Sequence, residues 1–373
     1  MLKNIDVGCY HGMVQGNRLI GLFKHSPKLH VINLRSFDEG ALPAIHQYCP
    51  ELTILTLNVD DYTDVIDTIM DRISTKAHGL RYLLLYNIVS GAIVKPFLET
   101  HQKTIEELEL VLYSEQQQAT AMTEEHGIGG AADDWAFLST LDYMPNIHRL
   151  SIYARNSSPI QEHNLLSMLS KCPSLYFLSL ECFVRHGITK ETLKVIGSLQ
   201  ELNKLRISQC SLYAEATDDT NNHNGNNVDS NKMNTPKQLF GKLRNLTHVE
   251  IGYCSGTTHA VLDIVANIPN LMLIEVRGMS TTMNVDMQEI ISKLATLEFL
   301  QQVEFDTVDL SPEALHEFDK DDVDSSMKQI VLRNIRNMDK FQAHQVLSSS
   351  NISIAYFGHD SIFENNTSGE DDL

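Results

Sequence analysis

The sequence predicts an α/β solenoid in which one strand and one helix repeat along the chain and the strands form a single parallel sheet. Three observations lead to this prediction: a short apolar phrase recurs, its step is nearly constant, and a segment with helical periodicity follows most copies. Each phrase has apolar residues at positions 0, +3 and +5, as in Leu29, Ile32 and Leu34. The eleven complete copies begin at Leu29, Leu52, Leu80, Ile105, Ile147, Leu175, Leu202, Leu246, Leu271, Leu300 and Met327.

The step between copies identifies the type of repeat. Most first apolar residues lie 23 to 29 residues apart, which is the range of leucine-rich repeats. A partial first copy begins at Leu2, and Ile352 with Ile354 forms an incomplete last one. We therefore predict one domain over residues 1–357, a leucine-rich-repeat solenoid, or horseshoe, of about 11–13 strand–helix repeats with a parallel concave sheet.

The segments between the phrases predict helices that cover one face of the sheet. Apolar residues with helical spacing fill Thr192–Leu199 and Met287–Leu294. Ser311 and Pro312 place a capping serine before a proline at the first helical position. Because a single strand–helix unit cannot bury both its faces, we expect each repeat to depend on its neighbours for stability.

Two steps between copies, of 42 and 44 residues, are longer than the others. They predict insertions at about residues 114–130 and 215–235. The second insertion is rich in asparagine and almost devoid of apolar residues, so we expect it to be disordered. Residues 358–373 contain several carboxylates and predict an acidic C-terminal tail.

Composition narrows the range of partners and compartments. Lysine and arginine total 29 against 48 acidic residues, which gives a net charge of −19. This charge opposes binding to phosphate backbones or anionic membranes, so we expect neither a nucleic-acid nor a membrane partner. The six cysteines contain no C-x-x-C pair and fit reduced thiols. We therefore expect a cytoplasmic or nuclear location.

No motif in the sequence indicates catalysis. The phosphate-binding, zinc-protease and serine-hydrolase patterns are missing. The glycine cluster Gly127–Gly130 neither follows a strand phrase nor has a lysine nearby, and we interpret it as part of a flexible insertion. Asp319–Asp324 has an aspartate where a calcium loop needs glycine, and we interpret it as a solvated charge run. We expect no enzymatic activity, no cofactor and no metal site.

The positions between the core residues predict where a partner would bind. Positions +2, +4 and +6 of each phrase point away from the core and form the concave face. They are apolar or aromatic in the N-terminal half, as at interface hot spots, and of mixed charge in the C-terminal half. In the alternative interpretation, the aromatic side chains pack against one another or under the first insertion. The predicted partner-binding residues are Ile54, Tyr82, Leu84, Tyr86, Tyr153, Phe177, Lys204, Arg206, Glu250, Glu275 and Arg277.

The cysteines carry a resemblance to a known family. Leu202–Cys210 and Leu246–Cys254 follow the repeat pattern with cysteine at the turn, and cysteine–proline pairs end helices at Cys49 and Cys172. With these features, residues 1–357 resemble the cysteine-containing, ribonuclease-inhibitor-like leucine-rich repeats of F-box proteins. In that family, the repeats capture a substrate while an F-box docks to the cullin-ligase adaptor.

The resemblance implies a non-enzymatic protein-binding scaffold that recognises substrates for a ubiquitin ligase. Its implied partners are a protein on the concave face and components of the ligase. The first phrase begins at Leu2 and leaves no room for an F-box, so we do not expect this chain to dock the adaptor directly. Two alternatives stay open: a regulatory leucine-rich-repeat protein such as a GTPase activator, and a nonfunctional fragment of a longer F-box protein. GTPase activators typically have asparagine at the turn, and no arginine here stands out for phosphoryl transfer.

Overall fold

A computed structural model of the protein shows one parallel sheet. It describes residues 2–7, 19–35, 41–58, 79–88, 91–113, 135–155, 160–181, 188–210, 212, 240–254, 261, 264–265, 268–278, 286–319, 326–347 and 351–357. Within these residues, thirteen strands lie side by side in the order in which they occur along the chain. The strands are β1 (Asn4–Val7), β2 (Val31–Arg35), β3 (Ile54–Asn58), β4 (Tyr82–Ile88), β5 (Glu107–Tyr113), β6 (Arg149–Arg155), β7 (Phe177–Glu181), β8 (Lys204–Ser208), β9 (His248–Gly252), β10 (Leu273–Arg277), β11 (Gln302–Asp306), β12 (Gln329–Arg333) and β13 (Ser353–Phe357).

The strand register follows the apolar phrases. The +3 residues of successive copies lie opposite one another, for example Leu55 opposite Leu83 and Leu83 opposite Leu108. The incomplete copies at the two ends also form strands, β1 and β13, in register with their neighbours. The predicted fold class, a leucine-rich-repeat solenoid with one parallel sheet, is therefore confirmed.

Short helices connect many of the strands. Helix α6 (Met287–Leu294) has the predicted bounds, while α5 (Lys190–Ile196) begins after the N-cap Thr189. The predicted cap at α7 (Pro312–Leu315) is present, since Ser311 Oγ accepts a hydrogen bond from the backbone N–H of Ala314 at 3.3 Å. The described α-helices are α1 (Ile20–Lys24), α2 (Leu42–Tyr48), α3 (Gly91–His101), α4 (Glu162–Leu169), α5 (Lys190–Ile196), α6 (Met287–Leu294), α7 (Pro312–Leu315) and α8 (Lys340–Val346). Ala136–Ser139 and His316–Asp319 form 3₁₀ turns.

The main core lies between the sheet and the helices. The +3 and +5 residues of the strands, such as Leu178 and Leu205, are fully buried there together with apolar helix residues such as Leu193 and Ile291. Each fully buried aliphatic side chain contributes roughly 1.5–3 kcal/mol. The inward register predicted from the phrases is therefore confirmed.

The two turn cysteines, Cys210 and Cys254, form hydrogen bonds at the ends of their strands. The thiol of Cys210 donates to the carbonyl of Ser208 at 3.0 Å, and the thiol of Cys254 donates to the carbonyl of Gly252 at 3.3 Å. Both are buried, reduced thiols, and burial raises the pKa of Cys254 to about 11. They act as buried polar groups that bond to the backbone of the turn.

The predicted insertions at 114–130 and 215–235, with the glycine cluster Gly127–Gly130, and the acidic tail at 358–373 lie outside the described residues. Most of the charge run Asp319–Asp324 lies outside them as well. No helix in the described ranges has both the length and the apolar character needed to cross a membrane.

Candidate protein-binding site on the concave face

The concave face is the side of the sheet that carries the +2, +4 and +6 residues, opposite the main core. Because the strands are parallel and in register, equivalent residues of successive repeats form rows across this face. The +2 row runs from Glu107 on β5 through Arg149, Phe177 and Lys204 to His248 on β9. Side chains far apart in sequence thus become neighbours on one surface.

The N-terminal part of the concave face is an apolar cluster whose side chains bury one another. Ile54, Tyr82 and Leu84 retain only 1–3% of their exposure and form a cluster separate from the main core. Tyr86 packs against it and donates its hydroxyl to Glu109 at 2.7 Å. The structure brings these predicted contact residues together but does not present the three buried ones as an open surface. Their packing is that of the alternative interpretation, and their role as partner contacts stays a prediction.

The middle of the concave face contains an open groove of about 470 Å³. It lies across β5 to β9, and we call it the β5–β9 groove. Four of the predicted contact residues line it, while Tyr153 packs against the main core and Glu275 and Arg277 lie on the next strand, β10. The lining residues are Glu107, His148, Arg149, Tyr176, Phe177, Lys204, Arg206 and Glu250.

Phe177 is a largely buried ring in the groove lining with two cationic side chains beside it. Its side chain is 9% exposed, and the guanidinium of Arg149 lies 4.1 Å from the ring centroid. From the next strand, β8, Lys204 Nζ lies 5.8 Å from the same centroid. Both distances are within the range of cation–π attraction, which holds a cation near a ring without neutralising its charge.

Arg206 and Arg277 are already engaged with carboxylates. The Nε of Arg206 lies 3.2 Å from the carboxylates of both Glu181 and Glu250. Arg277 lies 3.6 Å from Glu250 and also contacts Glu275. Burial raises the pKa of Glu181 and Glu250, and the nearby arginines oppose this rise. The arginines of this set therefore offset the charge of the carboxylates beside them.

Arg149 and Lys204 differ from Arg206, because neither forms an ion pair within 4 Å in the described part of the chain. Next in the row, burial and then Lys204 lower the pKa of His248 below its usual value. His248 is therefore mainly neutral at pH 7 and adds no charge to the row. The groove thus presents two cationic side chains, Arg149 and Lys204, on the strands next to that of Phe177.

The prediction from sequence missed four of the lining residues. Glu107 and Arg149 occupy the same +2 position as Phe177, so the repeat register contained the signal that identifies them. His148 and Tyr176 occupy the +1 position, just before the strand, where the alternation of inward and outward residues gives no signal. Tyr176 is 54% exposed at the rim of the groove and is the most accessible aromatic residue of the lining.

The described residues contain no group of three or more histidine, cysteine, aspartate and glutamate side chains that could hold a metal ion. Burial also raises the pKa of the Cys49 thiol to about 11 and that of Cys172 to about 12. Thiols with such values are almost wholly protonated at neutral pH and are poor nucleophiles.

Comparisons with known proteins give distant structural neighbours. An internalin (inlF) from Listeria monocytogenes is similar at 12% sequence identity and a TM-score of 0.37, over 89% of this chain and 81% of that chain. A chain of a TLR13–ssRNA13 complex is similar at 13% identity and a TM-score of 0.35, over 90% of this chain and 43% of that chain. No protein family and no curated protein gives a match. The leucine-rich-repeat fold of this chain rests on the order and register of its own strands.

Proposed function

We propose that this protein is a non-enzymatic scaffold that binds a segment of another protein in the β5–β9 groove. The observation that carries the proposal is the arrangement of Arg149, Phe177 and Lys204 in one row beside the exposed Tyr176. Aromatic residues and arginine are enriched among the residues that dominate protein–protein affinity. Arg149, Phe177 and Lys204 each lie on a paired strand, so less backbone entropy is lost when a partner binds.

The test compares two tyrosines of similar exposure. Tyr176 lies at the groove and is 54% exposed, whereas Tyr143 lies before β6, does not line the groove and is 58% exposed. The intact chain and the variants Tyr176→Ala and Tyr143→Ala are purified from the cells that produce the protein, and bound proteins are quantified by mass spectrometry. We expect Tyr176→Ala to lose a set of proteins that Tyr143→Ala retains.

Equal recovery of the same proteins by the wild type and both variants would refute the groove as the binding site. Thermal unfolding of each variant must show a wild-type midpoint, because loss of fold would also reduce capture. Both side chains are more than half exposed, so we expect their truncation to change stability by no more than about 0.5 kcal/mol.

We further propose that the bound protein is a substrate of a ubiquitin ligase and that the scaffold works in the cytoplasm or nucleus. The cysteines at the turns, Cys210 and Cys254, support this role through the resemblance to F-box repeats. The same purification tests the role, because it should recover cullin-ligase components together with the groove-dependent proteins. Recovery of those proteins without ligase components would exclude the ligase role and leave the scaffold in place.

A further inference from the structure

We propose that the β5–β9 groove selects an extended acidic peptide segment, in which two carboxylate side chains contact Arg149 and Lys204 and an apolar side chain between them packs on Phe177. This inference rests on the proposed function, since it names the chemistry of the partner that the same groove binds. The partner is thus defined by a pattern of charge and spacing.

The groove lining has three cations, Arg149, Lys204 and Arg206, and two carboxylates, Glu107 and Glu250, so cations are in excess. Arg149 and Lys204 contact the Phe177 ring and, among the described residues, form no ion pair with a carboxylate. Glu250, which also lines the groove, lies close to Arg206 and Arg277. The chain as a whole carries a net charge of −19, so the excess of cations in the groove lining differs in sign from the net charge of the protein.

The spacing of the cations fits an extended segment. Arg149, Phe177 and Lys204 lie on three adjacent strands, and strands are about 4.8 Å apart, so the two cationic residues have backbones about 10 Å apart. In an extended peptide, side chains i, i+2 and i+4 share one face and span about 13 Å. Long, flexible cationic side chains cover this difference. The pattern acidic–x–apolar–x–acidic therefore matches the row.

The first experiment uses three synthetic peptides with a fluorescent label and measures binding to the full chain by anisotropy. Their cores are Asp-Ser-Leu-Ser-Asp, Asn-Ser-Leu-Ser-Asn and Lys-Ser-Leu-Ser-Lys, which differ only in the charge of the flanking side chains. We expect the aspartate peptide to bind at least tenfold more tightly than the asparagine peptide, and the lysine peptide to bind most weakly. Raising the salt concentration from about 50 mM to about 300 mM should reduce the affinity of the aspartate peptide several-fold, because salt screens contacts between exposed charges.

The second experiment reverses charge at two places in the chain. The double variant Arg149→Glu, Lys204→Glu changes the groove, while Lys95→Glu, Lys194→Glu makes the same change of net charge at exposed positions on α3 and α5. We expect the groove variant to lose at least tenfold in affinity for the aspartate peptide and the helix variant to keep it. If the groove variant does not fold, the neutral pair Arg149→Gln, Lys204→Gln replaces it with the same expectation.

Several outcomes would overturn the inference. Equal affinity for the three peptides, including no measurable binding of any of them, would overturn it. An equal loss of affinity for the aspartate peptide in both charge-reversal variants would also overturn it. An oligothymidine that binds more tightly than the aspartate peptide, and is lost in the groove variant, would instead indicate a nucleic-acid ligand. If cellular proteins still depend on Tyr176 while the peptides are not discriminated, the acidic-segment inference fails and the proposed function stands.

Discussion

Gly278 lies directly beneath the aromatic ring of Tyr253. A Cβ atom at position 278 would lie 2.0 Å from Cδ1 and 2.2 Å from Cε1 of that ring. Both residues follow their strands with φ in the left-handed region. Equivalent turn positions after other strands hold Gln209, Thr307 and Asn334 at similar φ, so the backbone conformation alone does not demand glycine. Glycine is needed at position 278 because the ring of Tyr253 occupies the space that a Cβ atom would take.

The variant Gly278→Ala should therefore lose stability for two separable reasons. We expect a cost of about 2–3 kcal/mol, of which about 1–2 kcal/mol comes from the left-handed conformation and the rest from displacement of the Tyr253 ring. In the background Tyr253→Ala, the same glycine change should cost only the conformational part. Urea unfolding of the two single variants and the double variant measures this difference. An identical cost in both backgrounds would show that the ring is not the reason for the glycine.

The core register makes a prediction for Leu178, which is fully buried between the sheet and the helices. Leu178→Ala should reduce the free energy of unfolding by about 2–5 kcal/mol through the cavity that it creates. The exposed turn residue Glu201 provides the control, and Glu201→Ala should change stability by less than about 0.5 kcal/mol. Denaturant unfolding followed by circular dichroism measures both. Similar values for the two variants would mean that Leu178 does not support the core.

His101 should make the stability of the protein depend on pH. Burial, and then the nearby His46, lower the pKa of His101, and its Nδ1 accepts a hydrogen bond from the backbone N–H of Leu80 at 3.4 Å. An unfolded histidine titrates near pH 6.5, so below this value the unfolded chain takes up a proton that the folded chain resists. This contribution to stability is complete above about pH 6.5 and is lost as the pH falls through the lowered pKa of the folded state.

The measurement compares urea unfolding at pH 7.5 and pH 5.5. The variant His101→Gln has no group that titrates at this position, so its stability should fall less than that of the wild type between the two pH values. The same change at the exposed His344 serves as the control. An equal pH response of His101→Gln and His344→Gln would contradict the assignment to His101.

The buried turn thiols should resist modification in the folded protein. Burial raises the pKa of Cys254 to about 11, which leaves almost no thiolate at pH 8. Iodoacetamide should therefore modify Cys254 at least tenfold more slowly in the native protein than in urea, as measured by peptide mass spectrometry. A free thiol peptide in the same tube reports the intrinsic reactivity. Native modification at the unfolded rate would show that the turn opens readily.

The fold could be predicted because burial of apolar side chains, which stabilises it most, leaves a regular spacing in the sequence. In a strand, successive side chains alternate between the two faces, so apolar residues at +3 and +5 mark the buried side of every repeat. The same rule located even the incomplete copies at Ile5 and Ile354, which form β1 and β13. The predicted start of α5 was less accurate, because capping by Thr189 is a local hydrogen bond that apolar spacing does not report.

The candidate site was only partly predictable for a different reason. Alternation tells which face a side chain occupies, but whether that face is open depends on how neighbouring side chains pack. Ile54 and Tyr82 point away from the main core yet bury one another, whereas Tyr176, outside the regular pattern, is exposed at the groove. Arg149 contacts the Phe177 ring and forms no ion pair with any described residue, which depends on distances between strands and is seen only in the three-dimensional structure.

The equality of strand order and chain order has a consequence for how such a protein changes over time. β5 pairs with β6, and β8 pairs with β9, although long stretches of sequence separate the members of each pair. A connection between adjacent repeats can therefore lengthen without changing the pairing of the strands that it joins. The entropic cost of closing a loop rises by only about 0.6 kcal/mol for each doubling of its length. The length and sequence of these connections can therefore change during evolution while Arg149, Phe177 and Lys204 keep their positions in the sheet.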